Sequence, residues 1–127
     1  MKKVIFVYDS KTVLVSVEMI LEEMIETGKI ELITYDDPTH LLEDIGSGVV
    51  DYDLLFTDMN MPQMNGLEVA RILKQNDRVK QKPILALTTE TSTEIKTAGK
   101  QIGLAGWVVK PFSDENIQMA VKKVLAI

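Results

Sequence analysis

Four short apolar segments of the chain each run into a residue whose side chain can do chemistry. Asp9 follows Val4-Ile5-Phe6-Val7-Tyr8, and Asp58 follows Leu54-Leu55-Phe56-Thr57. Thr88 follows Pro83-Ile84-Leu85-Ala86-Leu87, and Lys110 follows Ala105-Gly106-Trp107-Val108-Val109. Two carboxylates, a hydroxyl and an ammonium suit phosphoryl chemistry if they converge. Two hard oxygen ligands with loop carbonyls fit Mg²⁺, which keeps several waters and pairs with phosphate oxygens. A carboxylate can accept a phosphoryl group as a nucleophile. The metal and Lys110 would stabilise charge on the transferring group, and Thr88 could donate to a phosphoryl oxygen. Plainer roles are open to each residue: Asp58 opening a turn, Asp9 capping a helix, Thr88 serving a local turn, Lys110 solvated before a turn. The agreement of all four at strand ends favours the chemical reading.

The elements that must position them are legible from periodicity. The segments Val4–Tyr8, Leu54–Thr57, Pro83–Leu87 and Ala105–Val109 read as buried strands, and Ile30–Tyr35, which alternates less cleanly, as a more exposed one. Lys11 to about Thr27 carries Val13, Leu14, Val17, Ile20, Leu21, Met24 and Ile25 on one helical face, with Asp9 and Ser10 as candidate caps and Gly28 at its end. Pro38 opens a second helix that fades at Gly46-Ser47-Gly48, and Leu67–Leu73 is a third that decays into the charged loop Gln75–Lys82. After Thr88-Thr89-Glu90, Ser92 to Ile102 has only Ile95, Ala98 and Ile102 as an apolar stripe and predicts a loosely held fourth helix. Asp114 to about Leu125 is the last helix. Five β-then-α units predict an α/β fold, a doubly wound parallel sheet with helices on both faces. The four polar strand ends would then lie along one sheet edge.

The 127 residues predict one domain, 1–127, with no effector domain after the last helix. Absence of cysteine excludes a disulfide framework and Cys-ligated metal and is compatible with a cytoplasmic home. The first apolar run is too short for a signal peptide, and no apolar span is long enough for a bilayer. A net charge of −5 argues against a nucleic-acid surface. His40 sits in an acidic surface helix with no partner in reach by sequence, and is read as neither ligand, base nor phosphodonor. Met59, Met61 and Met64 are read as filling gaps around the loop. Trp107, a lone aromatic in a strand, could simply be core, and Lys122-Lys123 complement the last helix's dipole.

The chain resembles the response-regulator receiver domains, and within them the single-domain chemotaxis regulators. The likeness runs nearly end to end. It rests on Tyr8-Asp9-Ser10, Asp58-Met59-Asn60-Met61-Pro62-Gln63-Met64-Asn65-Gly66, Leu87-Thr88-Thr89 and Trp107-Val108-Val109-Lys110-Pro111-Phe112. It implies a flavodoxin-like five-stranded sheet of order 2-1-3-4-5. It also implies that Asp58 is phosphorylated from a kinase phosphohistidine, and that Asp9, Asp58 and the Asn60 backbone carbonyl hold Mg²⁺. Thr88 and Lys110 would read the phosphoryl group, Trp107 would report the switch by its rotamer, and Pro111 would follow a cis bond. The implied partners are a histidine kinase or phosphotransfer protein, and a protein engaged by the fourth helix, fifth strand and last helix. The chain would be a monomer or weak dimer, and no enzyme beyond phosphorylation and dephosphorylation of its own Asp58.

One position departs from the family pattern. Two acids usually follow the first strand, and here Tyr8 precedes Asp9, which predicts weaker Mg²⁺ binding and a weaker metal requirement. A pseudo-receiver that binds partners without phosphorylation is the alternative reading. A haloacid-dehalogenase-type phosphatase would carry a second Asp where this chain has Asn60. A flavin carrier would place a phosphate loop where Asp9 repels phosphate.

Overall fold

The apolar runs become strands because each is long enough for one pass through a core and is covered on both sides. In a computed structural model of the chain, residues 1–89 and 92–127 are described; Glu90, read above at the end of the fourth strand, lies outside them with Thr91. The strands are β1 (Lys2–Val7), β2 (Ile30–Tyr35), β3 (Leu54–Asp58), β4 (Ile84–Thr88) and β5 (Gly106–Val109). They pair in parallel in the order β2-β1-β3-β4-β5. Every residue of β3 and β4 is buried, whereas β2 and β5 are the partly exposed edges.

The helices are α1 (Lys11–Ile20), α2 (Glu22–Glu26), α3 (Pro38–Ser47), α4 (Gly66–Leu73), α5 (Thr93–Ile102) and α6 (Asp114–Leu125). Phe6, Phe56, Leu85, Leu87 and Val108 pack on one sheet face with Leu14, Val17, Leu21, Ile117 and Val121. On the other face Ile5, Val7, Leu55 and Ile84 meet Leu41, Ile45, Val69 and Leu73. The core is thus two apolar layers divided by the sheet, with the C-terminal strand edge left for polar residues.

The helix expected over Lys11–Thr27 is interrupted at Leu21, where φ is −99° and ψ 7°. Its hydrogen bonds nevertheless continue through the break: Leu21 N–H donates to the Val17 carbonyl at 3.0 Å, and Ile25 N–H to that of Leu21 at 3.1 Å. No Gly or Pro marks the place, and Leu21 itself is fully buried. The loop after α4 is less purely polar than its charges imply, since Val79 is buried against Ile84 and Leu73. As its thin stripe suggested, α5 buries only Gly99.

Candidate functional site

Ser10, rather than Asp9, caps α1: its Oγ accepts from the Val13 N–H at 3.3 Å. Asp9 is thereby left exposed at the end of β1, without the cap as its explanation. Asp58 is the last residue of β3 and only 1% exposed. Its Oδ1 accepts from the Asn60 N–H at 3.3 Å and pairs with the Lys110 ammonium. Lys110 reaches it from just beyond β5, where its own N–H donates to the Thr88 carbonyl at 2.9 Å. The Lys110–Pro111 peptide is cis.

Strand register sets the relative heights of these groups. Val7 pairs with Thr57, so Tyr8 and Asp58 stand at the same level; Asp58 pairs with Leu87, and Thr88 with Val109. Asp9 and Thr88 are therefore one residue beyond Asp58 and Lys110 two, a stagger rather than one common level. Asp58 and Lys110 touch, while Asp9 and Thr88 flank them along the edge. Thr88 is buried, and Trp107, three residues before Lys110, is half-buried.

Tyr8 replaces an expected acid with an aromatic face. The Lys110 Nζ lies 4.7 Å from the centre of its ring. Phe6 stacks on Phe56 at 5.0 Å and on Tyr8 at 6.4 Å, and meets Phe112 edge-on at 6.4 Å. The sequence shows these aromatics, but only their alternation along β1 and β3 reveals that they share a face and carry the lysine. Burial pulls the Lys110 ammonium down, but the hydrogen bonds and charges of Asp58 and Tyr8 outweigh it and leave it above the ordinary lysine value. It is a full cation at neutral pH. A hollow of about 440 Å³, bounded by Tyr8, Val13, Thr89, Lys110, Pro111 and Phe112, adjoins it.

The loop after Asp58 is shaped from behind. Gly66 N–H donates to the Met59 carbonyl at 3.1 Å, and a Cβ at Gly66 would lie 2.6 Å from the Asp58 carbonyl oxygen. Only glycine permits that approach. Asn65 caps α4, accepting from the Glu68 N–H at 2.9 Å while its amide donates to the Glu68 carboxylate at 3.2 Å. Met59 and Met61 are buried beneath the loop. For a metal, the available chemistry is two carboxylates and loop carbonyls; no group of three or more acids and histidines gathers among the described residues. Mg²⁺ needs no more, since it is commonly held by one or two carboxylates and completes its shell with water.

His40 is corrected. Its Nε2 lies 3.5 Å from Asp44 Oδ2, and its ring meets Tyr35 edge-on at 5.4 Å. Asp44 is four residues along the same helix, a spacing that puts the two on one face and was visible in the sequence. Among the described residues, no helix is long and apolar enough to cross a membrane.

Comparison with known proteins agrees with the fold. Residues 4–122 match the family model described as response regulator receiver domain. Chemotaxis protein CheY of Pseudomonas aeruginosa is 31% identical over 122 residues, covering 96% of this chain and 94% of that protein. Chemotaxis protein CheY4 of Vibrio cholerae superposes with a TM-score of 0.85 at 35% identity, covering 98% of each chain. Response regulator ArlR of Staphylococcus saprophyticus is 30% identical over 125 residues, of which the chain spans 98% of its own length and 53% of that protein's. Receiver domains act in two-component signalling, are typically phosphorylated on an aspartate, generally bind Mg²⁺ and partner histidine kinases. This chain belongs to the response regulator receiver domain family, whose members are signalling proteins and not enzymes.

Proposed function

We propose that the chain is a cytoplasmic, phosphorylation-activated switch, accepting a phosphoryl group on Asp58 from a histidine kinase or phosphotransfer protein with Mg²⁺. Likeness to the Pseudomonas and Vibrio chemotaxis proteins makes chemotaxis the process proposed. The observation that carries the reading is the pairing of the buried Asp58 carboxylate with Lys110 at the sheet's C-terminal edge. In the transfer, an Asp58 oxygen bonds to phosphorus as the donor's P–N bond breaks, and the bonding pair leaves with the imidazole. The Asn60 N–H and the Lys110 ammonium both fall on Oδ1, which favours Oδ2 as the attacking oxygen. Lys110 then balances the added charge, and Thr88 moves to donate to a phosphoryl oxygen. Asp9, Asp58 and the Asn60 carbonyl would hold Mg²⁺, which when bound supplies positive charge against the phosphoryl oxygens.

Output passes through α5, β5 and α6. That face carries exposed Val109 and Met119 beside Trp107, and its helix α5 is thinly packed, as a switching element must be. Incubation with acetyl phosphate and Mg²⁺ should add the mass of one phosphoryl group and change Trp107 fluorescence. No added mass, or a gain undiminished in Asp58→Asn, overturns the proposal.

Tyr8 supports a second reading, a partner-binding module that works without phosphorylation. It requires partner binding to be the same in wild type, in Asp58→Ala and with a chelator present.

A further inference from the structure

We infer that Tyr8 is a positioning residue whose ring face holds the Lys110 ammonium against Asp58, so that phosphoryl transfer in this chain leans less on a divalent cation. The inference rests on the reading of Asp58 as acceptor and concerns how its site is organised. Three observations carry it. Nζ of Lys110 pairs with Asp58 Oδ1 and lies 4.7 Å from the Tyr8 ring centre, so the ammonium touches both. The Lys110 side chain is only 15% exposed, which strengthens an ammonium–ring contact relative to one in water. The Tyr8 ring is fixed from below by Phe6, itself held by Phe56 and Phe112, so it offers a set surface and not a swinging side chain.

Charge explains the consequence. With an acid at position 8 the strand edge would carry three carboxylates around one lysine; with Tyr8 it carries two, Asp9 and Asp58. The missing charge removes repulsion that a metal ion would otherwise relieve, and weakens attraction for that ion. The ring meanwhile keeps the Lys110 ammonium beside the oxygen it must neutralise. The reaction itself is unchanged: an Asp58 oxygen–phosphorus bond forms, and the donor's bond to phosphorus breaks with its electron pair.

Two measurements test this, and only one needs phosphorylation. In proton NMR of the unphosphorylated protein, the Lys110 ε-methylene should show an upfield ring-current shift, kept in Tyr8→Phe and lost in Tyr8→Leu. In acetyl phosphate reactions followed by intact mass, wild type and Tyr8→Phe should keep a measurable rate in chelator. Tyr8→Leu should lose about tenfold in chelator, the size expected for one desolvated contact of this kind. Tyr8→Asp should regain speed only with Mg²⁺, with a lower half-saturating concentration. An absent ring-current shift, or Tyr8→Leu matching wild type in chelator, overturns the inference while phosphorylation in Mg²⁺ still upholds the acceptor reading. If no variant gains mass in Mg²⁺, including Tyr8→Asp, the acceptor reading fails, and the inference with it.

Discussion

The indole of Trp107 fills the space that a side chain at Gly99 would need. A Cβ there would stand 2.9 Å from the indole Cη2 and 2.9 Å from Leu104 Cδ1. Gly99 is the one buried residue of α5, and this contact sets that helix against β5. Gly99→Ala gains roughly 1 kcal/mol of helix propensity but meets an overpacking cost of about 1–3 kcal/mol. A net loss of stability is expected by urea unfolding, with a shift in Trp107 emission. An unshifted emission would show that the indole does not rest on Gly99.

Removing the lysine leaves a buried carboxylate with no cation. Lys110→Met is expected to lower unfolding stability by about 3 kcal/mol or more, the usual result of stripping one partner from a buried pair. The double variant Lys110→Met/Asp58→Asn should recover most of that, because the two residues couple directly. Additive losses in a double-mutant cycle would contradict the pairing.

Asn65 and Gly66 set the loop behind Asp58. Asn65→Ala should cost about 1 kcal/mol through the lost cap of α4. Gly66→Ala should cost about 1–3 kcal/mol, because its methyl group would press on Asp58's own backbone. It should also slow phosphorylation in Mg²⁺ more than Asn65→Ala does. Equal rates in the two variants would mean that the close approach at Gly66 has no bearing on the carboxylate's placement.

Stability should be lost at both pH extremes for identifiable reasons. Burial first, then the hydrogen bond to Asp44 and its charge, push the Tyr35 phenol up to about 12. Burial and the charge of Asp51 push Tyr52 up as well, and Lys110 is raised by Asp58 and Tyr8 against its burial. All three hold their protons more tightly folded than unfolded. Their contribution is complete below about pH 10 and is lost as pH climbs toward 12. On the acid side, the Thr39 hydroxyl and N–H hold Asp37 low. Burial raises Asp53, but the Lys3 N–H and the Lys82 ammonium outweigh it and hold the carboxyl below its ordinary value. Those contributions are present above about pH 4 and fade below it. Urea midpoints across pH should show both shoulders, with the alkaline one smaller in Tyr35→Phe.

The strands were legible because buried parallel strands read as unbroken apolar runs, and their ends pointed to Asp9, Asp58, Thr88 and Lys110. Side-chain partnership was less legible. The stagger of those four residues depends on register between strands far apart in sequence, and Tyr8 meeting Lys110 depends on it too. The interruption at Leu21 carries no breaker residue, so propensity alone predicts one continuous helix. His40 has a partner after all, Asp44, one helical turn along α3. Val79 was hidden among the charges of its loop.

β3 is hydrogen-bonded along both flanks, to β1 and to β4, and Asp58 is its final residue. The Asp58 carboxylate is therefore mounted on the central strand of the sheet, at the level of Leu87. On the proposed reading, news of a modification at Asp58 would travel outward, across β4 to the thinner rim of β5 and α5. If Asp58 is the acceptor, a protein gripping that rim would tune the reaction through Thr88 or Lys110, and phosphorylation would tune its grip to the same extent.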